Sequence, residues 1–248
     1  MIRAEDEFSF WGPIKPSVEP LWRRFYGHIS PVEFVHTLSR WLAPDVTVLE
    51  VGAGAGNLYP HRIRGSVKRI VGVDPDPRVV GNAQLDEGIV GYCEKLPFSN
   101  ESFDVVFHRM LAEHLADPDT ATREISRVLK PGGTLVVHTP NRLHYSILIS
   151  RLTPLWFHRA VMRMVGTRKN PEDVHNAYYG MNSRADIHRI CEKAGLSVTH
   201  LEFLNGPPGY LRFSRWSFLA GVLYQRVIEQ NFSILRPTIL FAATKKRT

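Results

Sequence analysis

The stretch "VLEVGAGAG" at residues 48–56 decides the fold of this 248-residue chain. An apolar, β-branched run leads into three glycines within five residues, at 52, 54 and 56. A glycine loop between a strand and a helix lets the backbone approach a ligand closely and points helix N–H groups at it. A tight turn without a ligand is the plain alternative, but so dense a run of glycines favours a binding loop.

Around this loop, short apolar runs alternate with helical patterns, which is typical of a parallel sheet covered by helices on both faces. Two N-terminal helices are predicted over 18–42, with a break at Ser30-Pro31. A short helix is predicted after the glycine loop, and another between Phe107 and Leu129, which "LKPGG" (129–133) ends. A further helix is predicted over Arg184–Ala194. The predicted strands are Val46–Val51, Arg69–Val73, Ile89–Cys93, Phe103–Phe107, Thr134–His138, Ser197–Leu204 and Thr238–Ala243.

This pattern predicts one α/β domain spanning 1–248. A helical cap occupies 1–44 and a binding core occupies 45–141. Two stretches, 142–183 and 205–235, interrupt the alternation and are read as helical insertions. Long excursions from a compact core are commonly lids or binding elements.

The composition is that of an ordinary globular protein, with 44% hydrophobic and 22% charged residues, which excludes disordered, collagen-like and coiled-coil classes. No apolar run approaches the length of a membrane span, and the acidic start lacks the apolar segment of a signal peptide. Cys93 and Cys191 show no disulfide or zinc spacing, so we expect no metal site and a reducing, cytoplasmic location.

Two carboxylates frame the glycine loop and indicate its ligand. A dinucleotide fingerprint fails because Asn57 stands where its last glycine belongs, and no Lys-Ser or Lys-Thr of a nucleotide-triphosphate loop follows. Glu50 suits an ammonium group better than a phosphate. Asp74 ends the second strand, where a carboxylate accepts hydrogen bonds from ribose hydroxyls. The pattern therefore predicts a nucleoside with an ammonium group and no phosphate, as in S-adenosylmethionine.

Five successive motifs then resemble those of class I S-adenosylmethionine-dependent methyltransferases, and most resemble the small-molecule type related to quinone-biosynthesis methyltransferases. The resemblance implies a Rossmann-like sheet of seven strands, mostly parallel with the last strand antiparallel. The five plus two strands predicted from the pattern agree with it. The motifs are "VLEVGAGAG" (48–56), "VGVDPDP" (71–77), "EKLPFSNESFDVVF" (94–107), "AEHLADP" (112–118) and "REISRVLKPGGTLVVHTPN" (123–141).

The same resemblance assigns roles at the cofactor site. Asp74 would hold the ribose and Pro75 would lie near the adenine. Tyr92 departs from the acid usual in the family, which leaves the backbone around Cys93 and Glu94 for the adenine. The residues expected to line the methionine part are Glu50, Gly52, Ala53, Gly54 and Gly56.

Several side chains are candidates for chemistry at the carboxyl edge of the sheet. His108 follows strand four, where an imidazole can deprotonate a hydroxyl acceptor or simply line the cofactor pocket. Both roles stay open, because methyl transfer depends mainly on alignment. His114 is expected to be mainly structural. Candidate acceptor contacts are Asn141, His144 and Tyr145 after strand five, and Tyr179 in the first insertion.

The formal charge of +7, from 31 basic and 24 acidic residues, is concentrated around the first insertion. Residues 142–184 contain seven basic and two acidic residues among many apolar ones. The second insertion has a similar mixture. A helix with this mixture of basic and apolar side chains either packs as a lid on the core or contacts an anionic membrane.

The expected function is therefore methyl transfer to a small or lipid-linked acceptor, at oxygen or carbon, with peripheral membrane contact through 142–184 as an option. An inactive partner subunit of the same fold is the main alternative. An RNA methyltransferase is disfavoured, because residues 107–111 read "FHRML" in place of the (D/N)PP(Y/F) motif of amino-methylating nucleic-acid enzymes. The sequence leaves the oligomeric state open.

Overall fold

The computed structural model describes residues 14–26, 32–56, 63–152 and 176–247. Their centre is one seven-stranded sheet in the order β3-β2-β1-β4-β5-β7-β6, mixed and mostly parallel. This confirms the predicted Rossmann-like sheet. The strands are β1 (Thr47–Val51), β2 (Arg69–Asp74), β3 (Glu87–Val90), β4 (Phe103–Arg109), β5 (Leu129–Pro140), β6 (Leu196–Leu204) and β7 (Thr238–Lys245).

The central strands are buried on both faces, as their continuous apolar sequences require. Consecutive residues of β2 and β7 are buried, and Leu49 and Val106 are inaccessible to solvent. Parallel register sets Glu50 of β1 between Gly72 of β2 and Phe107 of β4. The carboxyl ends of β1, β2 and β4 therefore lie at one edge of the sheet, where the predicted site residues follow.

Two strands differ from the sequence prediction. Strand β3 begins and ends earlier than expected, because Tyr92 pairs with Lys95 in an isolated bridge instead of extending the ladder. Strand β5 begins at Leu129, so the Pro-Gly-Gly of "LKPGG" lies inside the strand. It forms an irregularity there: Gly132 has a φ of +80°, and a Cβ on Gly133 would come within 2.9 Å of the Asp104 carbonyl.

Six α-helices are described along with these strands. The helix expected directly after β4 begins only at Pro118, where the Asp117 side chain accepts a hydrogen bond from the backbone of Thr120. Much of the helix expected after the glycine loop falls on 57–62, outside the described residues. The α-helices described are α1 (Glu19–Tyr26), α2 (Val32–Leu38), α3 (Pro118–Val128), α4 (Tyr145–Leu152), α5 (Arg184–Lys193) and α6 (Arg215–Tyr224).

Short turns of other helix types join these elements. A π-helical turn, Gln225–Glu229, continues α6. None of the helices in the described residues is long and apolar enough to cross a membrane. The 3₁₀-helices are Ser39–Trp41, Pro77–Gly81, Ala112–His114, Gly209–Leu211 and Ser233–Leu235.

The chain divides into two compact units. The core unit comprises Phe34–Pro140, Asn176–Glu202 and Ile239–Thr248 and contains the cofactor motifs. The second unit comprises Met1–Glu33, Asn141–His175 and Phe203–Thr238. It overlaps the expected cap and insertions, but 34–44 of the cap and 176–183 of the first insertion belong to the core unit. The organisation as a single domain stays a prediction.

Candidate functional site

The glycine loop leaves β1 in a backbone conformation that glycine adopts without strain. Gly52, Gly54 and Gly56 have φ values of +77°, +48° and +75°, in the left-handed region. The loop is tied to the neighbouring strand, since the N–H of Gly52 donates to the carbonyl of Val73 at 2.8 Å. The three glycines therefore shape a turn that closes back over the end of β2.

Asp74, the last residue of β2, holds this turn through its carboxylate. One oxygen accepts the N–H of Gly54 at 2.9 Å and the other accepts the N–H of Asp76 at 2.8 Å. A carboxylate has about four acceptor positions, so each oxygen retains capacity for a further donor such as a ribose hydroxyl. Asp74 thus links the glycine loop to the segment that follows β2.

The space beside Gly54 fits a ligand held close to the backbone. Among the described residues, the nearest atom to a Cβ built on Gly54 is the Asp74 carboxylate oxygen, 4.0 Å away. At Gly52 the Leu111 side chain would already be 3.2 Å from the added Cβ. Within the described part of the chain, the loop is therefore open at its centre, toward Asp74, and closed at its start. That opening fits the nucleoside and ammonium ligand expected from the sequence.

Asn82 is a further loop residue, and sequence reasoning missed it. It is 5% exposed, and its side-chain amide donates to the carbonyls of Ala53 at 3.1 Å and Gly54 at 3.2 Å. Its side-chain oxygen accepts the N–H of Gln84 at 2.9 Å, and the Gln84 side chain in turn donates to the Gly56 carbonyl. No motif marks Asn82, because it reaches the loop only when the chain after β2 folds back.

The predicted adenine residues lie along the adjacent strand end. Gly91 continues the pairing past β3 by donating to the Asp74 carbonyl at 3.0 Å, which sets the segment after β3 beside Pro75. The Cys93 thiol donates to the Glu94 carboxylate at 3.3 Å. Burial, followed by the charge of Glu94, raises the pKa of Cys93 to about 12. Cys93 is therefore a neutral, half-buried side chain rather than a reactive thiolate.

His108 lies near the end of β4 and is 1% exposed. Its Nδ1 is buried and has no hydrogen-bond partner in the described part of the chain. Burial lowers the pKa of His108 to about 4. The imidazole is therefore neutral near pH 7 and a weaker base than an exposed histidine.

His138 of β5 is a second neutral histidine, and it packs beneath α2. Its ring is stacked with Phe34 at a centroid distance of 5.8 Å, and the Arg109 guanidinium lies 5.6 Å from the same Phe34 ring. Burial, followed by the positive charge of Arg109, lowers the pKa of His138 to about 3. Phe34 thus covers a polar pair at the edge of β4 and β5.

Because folding lowers the pKa of both histidines, we expect the protein to lose stability in acid. Below about pH 6.5 the unfolded chain protonates them while the folded chain does not. The free energy of unfolding then falls by about 1.4 kcal/mol per pH unit for a fully buried histidine such as His108. Urea titrations at about pH 6.5 and 5 measure this effect. Over that interval, we expect the free energy of unfolding of His108→Gln to fall by about 2 kcal/mol less than that of the wild type.

The exposed His188 provides the control for this measurement. His188→Gln should leave the pH dependence of the wild type unchanged. If the wild type and His108→Gln lose stability in parallel as the pH falls, then His108 is not neutral in the folded protein.

Glu113 and His114, which follow β4, form hydrogen bonds to the end of the first insertion. The Glu113 carbonyl accepts the N–H groups of Tyr178 at 2.7 Å and Tyr179 at 3.2 Å, and His114 Nδ1 bonds the carbonyl of Asn176 at 2.7 Å. Tyr179 has a φ of +55°. These contacts join the 3₁₀-helix Ala112–His114 to the end of the first insertion and give His114 a structural role.

The structure gives Asn141 and His144 structural roles in place of the expected acceptor contacts. Asn141 is fully buried, its amide donates to the carbonyls of Ile234 and Arg236 at 2.7 Å each, and its oxygen accepts the N–H of Leu143 at 3.0 Å. Since its donors and acceptor are used, we no longer propose it as an acceptor contact. His144 is buried at the start of α4, where its Nδ1 lies 2.6 Å from the Ser146 hydroxyl.

Tyr145 belongs to the second unit. Its ring packs on His144 at 4.3 Å and against Tyr224 at 4.9 Å. Most of the basic side chains noted in 142–184, Arg151 to Lys169, fall outside the side chains that the structure describes.

A known protein family matches part of the core unit. Residues 49–137 match the family model described as a methyltransferase domain. This match covers the glycine loop, Asp74, Cys93, Glu94 and His108.

Two curated relatives are named for methyl transfer to a hydroquinone or in quinone biosynthesis. The chain is 29% identical over 170 residues to 2-methyl-6-phytyl-1,4-hydroquinone methyltransferase of Synechocystis, covering 58% of this chain and 52% of that protein. It is 34% identical over 132 residues to the ubiquinone/menaquinone biosynthesis C-methyltransferase UbiE of Vibrio campbellii, covering 48% of this chain and 47% of that protein. The chain thus spans about half the length of the curated relatives it matches.

A solved structure shares the fold. The YcgJ protein of Bacillus subtilis superimposes with a TM-score of 0.56 at 19% identity, covering 87% of this chain and 99% of that one. At this identity the likeness concerns the fold alone.

Proposed function

We propose that this chain is a class I S-adenosylmethionine-dependent methyltransferase that transfers a methyl group to oxygen or carbon of a small or lipid-linked acceptor. The match of residues 49–137 to a methyltransferase domain supports this proposal. The observation that carries this proposal is the glycine loop tied to Asp74, open at Gly54 toward that carboxylate. This arrangement suits a nucleoside held close to the backbone, with its ribose on a carboxylate.

The cofactor residues divide the binding task. Asp74 would accept the ribose hydroxyls, and Glu50, in β1 just before the loop, would attract the ammonium group. The segments at Pro75 and at Cys93-Glu94 would enclose the adenine. When bound, S-adenosylmethionine supplies a methyl group on a sulfonium, and transfer to the acceptor releases S-adenosylhomocysteine and, from a protonated acceptor, a proton. The protein's contribution is then alignment in a site that excludes water.

His108 lies at the carboxyl edge of β4 in this scheme. Its low pKa leaves the imidazole neutral and able to accept a hydrogen bond, but gives it little driving force to remove a proton from a phenol of pKa about 10. The burial of His108 therefore supports lining of the cofactor pocket more than general-base catalysis.

The acceptor is proposed to be a quinol-like ring with or without a lipid chain. The names of the two curated relatives support this, since one names a hydroquinone methyltransferase and the other a methyltransferase of ubiquinone and menaquinone biosynthesis. Tyr179 is proposed as an acceptor contact because its N–H is bound by Glu113, in the 3₁₀-helix that follows β4. Tyr145 is retained as a second proposed contact. Both cysteines are free thiols, which fits the proposed cytoplasmic location.

Calorimetry with S-adenosylhomocysteine, followed by a turnover assay with short-chain hydroquinones, tests this proposal. We expect saturable binding and formation of S-adenosylhomocysteine from S-adenosylmethionine only when an acceptor is present. A protein that does not bind S-adenosylhomocysteine would refute the cofactor assignment. Binding without turnover on any hydroquinone would instead favour the inactive partner subunit.

A substitution at His108 separates its two candidate roles. If His108 lines the pocket, His108→Gln should lower kcat less than about tenfold and leave the pH dependence of kcat unchanged between about pH 6 and 9. A loss of a hundredfold or more, together with disappearance of the acidic limb of the pH profile, would identify His108 as the base.

A further inference from the structure

An exposed apolar stripe runs along α6 and the π-helical turn that follows it. Trp216, Leu223 and Val227 are 82%, 63% and 50% exposed. Their spacings of seven and eleven residues, with the exposed Ala220 between them, place them on one side of the helix. Large apolar side chains in such a row mark an interaction surface more often than an ordinary exposed face.

The opposite side of the same helix packs within the second unit. Phe218 and Val222 are buried with Trp22 of α1, and the Trp22 and Phe218 rings lie 5.9 Å apart. The side chains of Tyr26 and Gln225 are joined by a hydrogen bond. The orientation of α6 is therefore set by its buried side, and the stripe takes no part in that packing.

Positive charge borders the stripe. Arg215 and Arg226 are both exposed, at the first turn of α6 and just after its end. The Arg226 guanidinium lies 5.2 Å from the ring of Phe25 of α1, which packs against the buried side of α6. Over 203–238 the sequence contains four arginines and one acidic residue, Glu229. The surface thus pairs apolar and basic groups.

We propose that the stripe docks on the surface of an anionic lipid bilayer. Exposed Trp and Leu side chains insert at the headgroup level, and flanking arginines bind lipid phosphates. A second copy of the chain fits less well, because a twofold contact would bring the same arginines of both copies together. The proposal differs from the predicted contact through 142–184 and does not depend on methyl transfer.

Sedimentation of the full chain with vesicles tests the proposal. Phosphatidylcholine vesicles with and without about 30% phosphatidylglycerol are compared at about 0.05 M and 0.5 M salt. We expect binding to the anionic vesicles, weakened by salt. Trp216→Ser with Leu223→Ser should lower the partition coefficient about tenfold or more. Arg215→Gln with Arg226→Gln should lower it about twentyfold at low salt only.

Matched controls lie on the core unit. Val80→Ser removes an apolar side chain that is 66% exposed, and Arg40→Gln with Lys68→Gln removes two exposed charges. Both should retain vesicle binding, and circular dichroism should show every variant folded. The proposal would be overturned if Trp216→Ser with Leu223→Ser bound vesicles as well as the wild type does. It would also be overturned if the wild type did not bind anionic vesicles at low salt. A dimer that the stripe substitutions dissociate, without vesicle binding, would replace the bilayer with a second copy.

Discussion

Asp74→Asn should weaken S-adenosylhomocysteine binding about a hundredfold or more in calorimetry. The carboxylate is proposed to accept the ribose hydroxyls, and hydrogen bonds to a charged group each contribute about 1.5–3 kcal/mol. The amide also replaces one of the two oxygens that accept the N–H groups of Gly54 and Asp76. The substitution therefore removes ligand contacts and loosens the loop that would hold the ligand.

Asp86→Asn is the control for this effect. Asp86 also accepts a backbone N–H, from Ile70 at 2.9 Å, and it pairs with Arg64 at 3.0 Å. Its loss should lower the free energy of unfolding slightly and change the dissociation constant less than about twofold. If Asp74→Asn binds S-adenosylhomocysteine as tightly as the wild type, the ribose is not held by this carboxylate.

Asn82→Asp should weaken the same binding by about a hundredfold, and more than Asn82→Ala does. The aspartate keeps the oxygen that accepts the Gln84 N–H, but it turns a second oxygen toward the carbonyls of Ala53 and Gly54 in a buried site. Alanine removes the two donated hydrogen bonds and the one accepted from Gln84, but it places no charge against the carbonyls and should cost about tenfold. The order of the two variants, measured by calorimetry, reports the hydrogen bonds rather than the space filled.

A double-mutant cycle with Gly56 checks that Asn82 acts through the loop. A Cβ on Gly56 would come within 2.0 Å of the Asn82 side-chain oxygen. Gly56→Ala should therefore be far more damaging in the wild type than in Asn82→Ala, although the positive φ costs about 1–2 kcal/mol in both. Exposed Asn100→Ala should have no effect on binding. Additive losses from the Gly56 and Asn82 changes would show that Asn82 supports only the fold.

Much of the core could be predicted because its signals are local. Apolar runs at strand length predicted seven strands, and the bounds of β1, β2 and β7 lie within two residues of those expected. Glycines that need a positive φ, followed by an acid at the next strand end, predicted the loop and Asp74. Strand β3 and the start of β5 were less predictable, since an isolated bridge and an irregular Pro-Gly-Gly depend on neighbouring strands.

The hydrogen-bond partners of the candidate acceptor residues could not be predicted from the local sequence. Asn141 and His144 follow β5 and looked available for a substrate, yet the carbonyls of Ile234 and Arg236 bind Asn141 and the Ser146 hydroxyl bonds Nδ1 of His144. The partners of Asn141 lie more than 90 residues away in the chain, so no local spacing reveals them. The same reason hid Asn82, whose contacts to Ala53 and Gly54 span 29 and 28 residues.

The sequence by itself therefore determined the sheet, the glycine loop and the acid that closes it, because strand periodicity and backbone φ are properties of short segments. Only the tertiary structure decided which polar groups are already satisfied, that His108 is buried and neutral, and that the stripe of Trp216 points to solvent. Burial and hydrogen-bond partnership are set by contacts between distant segments, so they arise when the chain folds.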